Sequence, residues 1–157
     1  MRGWITNLTF SPAHNNLNGP LPFELSKLTT LVYLQLNNNL LTATIPTQLG
    51  ELLTSLKNLN LASNMLKGTI PAALFTVPAS ASETNYTQLN RLRLSMNKLT
   101  GSIPTAIRQS QWDKMHLDAN LLSGELPMEL FEATASGLID ISFNHEVFTE
   151  GCGMGMP

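Results

Sequence analysis

Short stretches in which apolar and polar residues alternate recur along the chain. The regular copies are Leu34-Gln35-Leu36, Leu59-Asn60-Leu61, Leu92-Arg93-Leu94, Met115-His116-Leu117 and Ile139-Asp140-Ile141. A period of two places alternate side chains on opposite faces of a strand, so each copy predicts a short strand with one buried face. Leu8-Thr9-Phe10 predicts a less regular first strand, in which Pro12 stands where an inward leucine is expected. Either Pro12 marks an edge strand, or this strand is offset by inserted residues.

Two markers show that these strands belong to a repeat. An asparagine follows each strand at a fixed distance: Asn15, Asn39, Asn64, Asn97, Asn120 and Asn144. An apolar residue followed by proline keeps the same step: Leu21-Pro22, Ile45-Pro46, Ile70-Pro71, Ile103-Pro104 and Leu126-Pro127. Successive asparagines are 23 to 25 residues apart, except for one step of 33. Chance does not keep two markers in step, so we predict about six repeats.

The repeat predicts how the chain buries its leucines. A single coil of this length cannot cover its own leucines, but stacked coils cover one another's apolar edges. One strand per coil then forms a parallel sheet, and we expect the repeated asparagines to form a structural ladder that bonds backbone groups left unpaired at each turn. Leucines spaced by three, such as Leu25, Leu28 and Leu31, predict a helical or 3₁₀ turn on the opposite side.

The segment Leu99-Thr100-Gly101-Ser102-Ile103-Pro104 carries the pattern LxGxIP after its strand. With this motif the chain resembles the leucine-rich-repeat family, and specifically its plant-type subclass, over roughly residues 8 to 147. The resemblance implies an α/β fold: a right-handed solenoid with a parallel β-sheet on its concave face and short helical, 3₁₀ or irregular segments on its convex face. We assign residues 1–150 to this domain and residues 151–157 to a flexible tail.

Some positions depart from the repeat. Ala43 replaces the glycine that the other early repeats carry, and the third repeat is too long, with extra residues near 76–88. Small and polar composition predicts a surface loop there, and a tolerated insertion is favoured over a ligand-binding one. The paired cysteines that usually flank plant-type extracellular arrays are missing, and Cys152 stands alone. We therefore expect the chain to be a fragment or a truncated product.

The outward side chains of the sheet are the candidates for function, because members of this family generally bind protein or peptide ligands on that face. Arg91, Arg93, Lys114 and His116 are predicted to form a basic block on adjacent strands. Opposed like charges destabilise a sheet, so the block is compatible with an anionic partner group, but solvation of the long cationic side chains, aided by Asp118 and Asp140, is favoured. The predicted ligand-binding residues are Tyr33, Asn58, Asn60, Arg91, Arg93, Lys114, His116, Asp118 and Asp140.

The residue types argue against chemistry at this face. No Ser/His/Asp arrangement, paired carboxylates in a cleft or phosphate-cradling glycine loop is visible, so we predict a protein that is not an enzyme and carries no cofactor. His116 and Asp140 should be cross-strand neighbours, but two ligands are too few for a metal site, and none is predicted.

Charge and composition limit the partners that we expect for this protein. The formal net charge is −2, so nucleic acid is not an expected partner, and no apolar run predicts membrane insertion. The predicted function is non-catalytic binding of a protein or peptide, as part of a receptor-like signalling or defence protein. The alternatives are a free-standing inhibitor or adhesion protein, similar to polygalacturonase inhibitors, and a polysaccharide- or ice-binding protein. The resemblance favours the extracellular side of the plasma membrane, although the residues show neither signal peptide nor spanning helix.

Overall fold

Six short strands, one from each predicted coil, pair in parallel to form the main sheet. The computed structural model describes residues 8–76, 89–109, 112–126, 130, 137–144 and 149–150. The strands of the main sheet follow chain order and are β1 (Leu8–Phe10), β3 (Leu31–Gln35), β5 (Asn58–Asn60), β7 (Arg91–Arg93), β9 (Lys114–His116) and β12 (Ile139–Asp140). The predicted parallel sheet is confirmed.

Shorter strands pair on the flank of the stack, after each repeated asparagine. They are β2 (Asn18–Pro20) with β4 (Leu40–Thr42); β6 (Lys67–Gly68), β8 (Lys98–Gly101) and β10 (Leu121–Leu122) as one sheet; and β11 (Glu125–Leu126) with β13 (Thr149–Glu150). All of these pairs are parallel. Each coil therefore bonds to its neighbour along two sides, at the strand and at the flank.

Short 3₁₀ helices occupy the side opposite the main sheet, as expected. They are Phe23–Lys27, Thr47–Thr54, Ala72–Leu74 and Thr105–Gln109. The first three follow Pro22, Pro46 and Pro71, whose φ angles of −68°, −63° and −67° lead the chain into the turn. Among the described residues, no helix is long and apolar enough to cross a lipid bilayer.

One apolar core runs through the stack from Leu21 to Ile139. The inward residues of the strands are buried, as Leu59 and Leu92 show with no exposed surface. Trp112 packs edge-on against Phe75 with ring centroids 5.8 Å apart, and so belongs to this core. The first coil has no neighbour on one side among the described residues, and its Leu28 and Phe23 remain exposed. Burial therefore comes from neighbouring coils.

The repeated asparagines tie each coil to the one before it. Asn97 accepts the Leu66 N–H at 3.0 Å and donates its Nδ2 to the carbonyl oxygens of Leu94 and Leu61, also at 3.0 Å. The same three contacts recur for four other members, Asn39, Asn64, Asn120 and Asn144. Asn15 differs, because it is exposed and donates to the Ala13 carbonyl within its own coil.

The first strand keeps the ladder despite its proline. β1 is the edge strand of the main sheet, and Thr9 and Phe10 pair with Tyr33 and Leu34, which stand at the same distances before their ladder asparagines. The pairing is irregular only between Leu8 and Thr9, so Pro12 marks an edge strand and the strand is not offset by inserted residues. Asn39 Nδ2 donates to the Pro12 carbonyl at 3.0 Å. Proline lacks an N–H but retains this acceptor, so it can take the leucine's place in the ladder.

Several sequence-based expectations concern parts of the chain that lie outside the described residues. They are the inserted loop from residue 77 to 88 and the tail at 151–157 with Cys152.

Candidate ligand-binding face

The register of the main sheet aligns the outward side chains in columns. In one column Tyr33 pairs with Asn58, Asn58 with Arg91, and Arg91 with Lys114. In the next column the paired positions are Gln35, Asn60, Arg93, His116 and Asp140. Since the intervening leucines are buried, the side chains of these columns point away from the core. The structure thus brings eight of the nine predicted residues onto one face, and the ninth, Asp118, follows the end of β9.

The basic block is assembled as the spacing predicts. Arg91 lies opposite Lys114, and Arg93 lies opposite His116. Arg91 and Lys114 are exposed, whereas Arg93 and His116 are half-buried. The Arg91 Nε is 3.5 Å from the Asp113 Oδ2, and both side chains are 53% exposed. A pair this exposed contributes little, so Arg91 remains available to a partner.

Beside the basic block, His116 meets two carboxylates. Its Nδ1 lies 3.7 Å from the Asp118 Oδ1, with side chains 27% and 23% exposed. Asp118 accepts the Ser95 hydroxyl at 2.6 Å. Asp140 accepts both the backbone N–H and the hydroxyl of Ser142, at 3.0 and 2.7 Å. These bonds, the backbone bond first, lower the pKa of Asp140 below its ordinary value, so this carboxylate stays ionised at neutral pH.

The neutral part of the face contains a buried amide. Asn58 is only 5% exposed, and its Oδ1 has no hydrogen-bond partner among the described residues. Asn60 is half-buried and accepts the Ala62 N–H at 3.2 Å. A small cavity of about 140 Å³ adjoins Asn58. Its lining residues are Tyr33, Lys57, Asn58, Asn90, Arg91 and Asp113. An unpartnered buried carbonyl is costly unless a donor reaches it.

Three residues of this cavity were not among the predicted ligand-binding residues. Lys57, Asn90 and Asp113 lie at the entry of β5, β7 and β9, and Asn90 donates to the Asp113 Oδ2 at 3.0 Å. All three stand seven residues before a ladder asparagine. Strict alternation places an apolar residue at that position, as Val32 does in the second coil. Their polar character was the signal that this column faces solvent.

The comparisons agree with this architecture. A family model described as Leucine Rich Repeat matches residues 30–52, 55–76 and 88–110. A chain of the BIR3–SERK2 complex from Arabidopsis thaliana is 31% identical with a TM-score of 0.75, over 92% of this chain and 72% of that one. The chain belongs to the leucine-rich-repeat family, and its repeats are of plant type.

Two further solved structures extend the comparison. The plant peptide hormone receptor RGFR1, in complex with RGF2, is 30% identical with a TM-score of 0.73, over 87% of this chain. A plant ice-binding protein is 30% identical with a TM-score of 0.62, over 84% of this chain. The chain spans only 21% of the receptor and 39% of the ice-binding protein. Among curated proteins, no sequence matches the chain significantly.

Proposed function

We propose that the chain is a non-catalytic module that binds an extended peptide or protein segment bearing an acidic group on the outward face of its main sheet. The basic block carries this proposal. Like charges opposed across a sheet destabilise it by a few tenths of a kcal/mol or more, and an anionic group between them removes that repulsion. The paired positions of Arg91 with Lys114 place two exposed cations where one carboxylate can contact both.

The buried amide supports a peptide as the ligand. An extended peptide carries backbone N–H groups at regular intervals, and its acidic side chain can lie beside them. When the acidic group contacts Arg91, a neighbouring N–H can donate to the Asn58 Oδ1, because the two residues are paired across β5 and β7. The donor would satisfy a buried acceptor that has no partner among the described residues.

The cellular role belongs to the same proposal. Likeness to a plant peptide hormone receptor and to a chain of the BIR3–SERK2 complex supports a module of a receptor-like signalling or defence protein. A free-standing inhibitor or adhesion protein would present the same face. The gene distinguishes them, because a spanning helix and kinase encoded downstream belong to the receptor alone.

Charge reversal tests the site. Peptides are selected on the wild-type module from a random display library, and their affinities are measured by fluorescence anisotropy. We expect enrichment in Asp and Glu, and a loss of about tenfold or more in affinity when Arg91, Arg93 and Lys114 are all changed to Glu. Added salt should weaken the wild-type complex, because screening acts on exposed charges.

A matched control changes Lys27, Lys67 and Lys98 to Glu. These three are also cationic and are all exposed, but they lie in the first 3₁₀ helix and in the flank strands β6 and β8. We expect this variant to bind as the wild type does. If the selected peptides bind the Arg91, Arg93 and Lys114 variant as tightly as the control, the ligand does not use the basic block.

The ice-binding neighbour favours a second candidate function. Recognition of a regular lattice requires similar small polar residues down a column, whereas the paired positions here are Tyr33, Asn58, Arg91 and Lys114. The face therefore supports peptide binding better. Thermal hysteresis measured on the purified module decides this point, and we expect none.

A further inference from the structure

Three side chains that metals commonly use converge at one end of the ligand-binding face. His116 ends β9, Asp140 ends β12 on the adjacent strand, and the register pairs these two residues directly. Asp118 follows His116 by two residues. One donor atom from each of the three lies within 4.8 Å of the other two. The sequence pattern yielded only His116 and Asp140 as possible ligands, and the structure adds the third.

Hydrogen bonds from two serines orient the two carboxylates. Ser95 donates to one oxygen of Asp118, and Ser142 donates twice to one oxygen of Asp140. The serine hydrogen bonds go to the Oδ1 atom of each carboxylate, and the Oδ2 atom receives none of them. Outer hydrogen bonds of this kind orient ligating carboxylates and raise metal affinity. All three ligands are half-buried, so their rotamers are restricted while one side remains open to solvent.

We propose that His116, Asp118 and Asp140 bind one divalent transition-metal ion, with Zn²⁺ preferred over Mn²⁺ and both preferred over Ca²⁺ and Mg²⁺. This proposal goes beyond the proposed function and does not rest on it. One imidazole nitrogen and two carboxylate oxygens form a mixed donor set that suits zinc, and Zn²⁺ exceeds Mn²⁺ in the usual affinity order. Calcium and magnesium prefer all-oxygen sites with more ligands.

The geometry is close to what such an ion needs. Donors around a tetrahedral zinc ion lie about 3.4 Å apart for metal–ligand distances of about 2.1 Å. The His116 Nδ1 and the Asp118 Oδ1 are already 3.7 Å apart. This oxygen also accepts the Ser95 hydroxyl, and its second lone pair is the one that would bind the ion. Small side-chain rotations of Asp140 complete the set. Three protein ligands leave a coordination position open for water or for a group of a second molecule.

The neighbouring cations limit the affinity that we expect for Zn²⁺. Arg93 is paired with His116 from the other side, and Lys114 precedes it by two residues on β9. Their positive charge opposes a second cation, whereas the two carboxylates attract it. We therefore expect binding in the micromolar range, below the affinity of closed structural zinc sites, and tighter binding in the Arg93→Gln variant.

Isothermal titration of the full chain with ZnCl₂ alone tests the site. The chain carries Cys152→Ser in all samples, because a free thiol binds zinc tightly. We expect one ion per chain and a rise of the melting temperature with added Zn²⁺. His116→Ala and Asp140→Asn should each weaken binding by at least about tenfold. Asp118→Asn keeps an acceptor for Ser95, and it should lower affinity without loss of folding, as monitored by circular dichroism.

Two control variants match these changes outside the site. His14→Ala removes an exposed imidazole, and Asp113→Asn removes an exposed carboxylate of the same face. Both should bind Zn²⁺ as the wild type does. Absence of saturable Zn²⁺ binding up to millimolar concentration overturns the proposal. Equal affinity in the His116, Asp118 and Asp140 variants overturns it as well, since the ion then binds elsewhere. Neither outcome affects the peptide selection, which is performed in chelator.

Discussion

At the scale of single residues, some positions require a left-handed backbone conformation that the type of side chain does not reveal. Ala43 has a φ of +64°, at the position where Gly68 and Gly101 have φ values of +78° and +77°. The left-handed region costs a residue with a Cβ about 1–2 kcal/mol relative to glycine, which enters it freely. Ala43 is therefore strained.

Changing Ala43 to Gly should stabilise the protein. We expect the free energy of unfolding to rise by about 0.5–1 kcal/mol, because relief of the left-handed strain exceeds the extra chain entropy that glycine brings to the unfolded state. Urea unfolding followed by circular dichroism measures the change. Ala62→Gly is the matched control, since Ala62 lies in the next coil and lacks a positive φ. That control should lose stability, and a gain in both variants would contradict the argument.

Only part of this strain was visible in the sequence. The replacement of glycine by Ala43 stood out against the repeat. The residue before each ladder asparagine is also left-handed, and these residues are His14, Asn38, Ser63, Met96, Ala119 and Phe143. They share no side-chain chemistry, so no pattern predicted their conformation. We attribute the left-handed backbone to the turn that brings each asparagine into the ladder.

At the scale of elements, the asparagine ladder joins neighbouring coils. Asn97 is 9% exposed, and its side chain makes bonds with its own coil and with the coil that contains Leu61 and Leu66. Its removal leaves a buried N–H and two buried carbonyl oxygens with fewer partners. Side-chain oxygen and nitrogen are both needed, which explains the use of an amide.

Changing Asn97 to Ala should cost about 1–3 kcal/mol, because buried backbone groups lose their partners. Thermal or urea unfolding measures this loss. Asn15→Ala is the matched control, since Asn15 is exposed and, within the described part of the chain, its side chain bonds to the Ala13 carbonyl of its own coil. We expect a change within about 0.5 kcal/mol there. Equal effects at both positions would show that the contacts between coils do not stabilise the stack.

The same element-scale logic explains which parts of the face were predictable. A period of two allows one register per strand if the leucines are to be buried, so the columns of Arg91 with Lys114 and of His116 with Asp140 followed directly. The position of Asp118 beside His116 did not follow, because its side-chain direction depends on the Ser95 hydroxyl of the neighbouring coil. Rotamers set by contacts between coils are not encoded in the local pattern.

At the scale of the whole molecule, each coil is covered by its neighbours. Leu17 and Leu66 occupy the same position, two residues after their asparagines, yet Leu17 is 42% exposed and Leu66 is fully buried. The sequence predicted the stack because its markers recur, but not how unevenly burial is shared. Stability in such a stack is a sum of coil terms and of terms between neighbours, so damage in the middle affects coils on both sides.

Changing Leu66 to Ala should therefore destabilise distant coils as well as its own. We expect a loss of about 2–5 kcal/mol from the cavity, against less than about 1 kcal/mol for the matched Leu17→Ala variant. A Trp4→Phe background leaves Trp112 as the fluorescent probe, and Trp112 is held in the core by Phe75. Urea unfolding of the Leu66 variant should shift the Trp112 fluorescence and circular dichroism midpoints together, because the core is continuous. If the Trp112 midpoint stays at its original value while circular dichroism moves, the coils unfold independently.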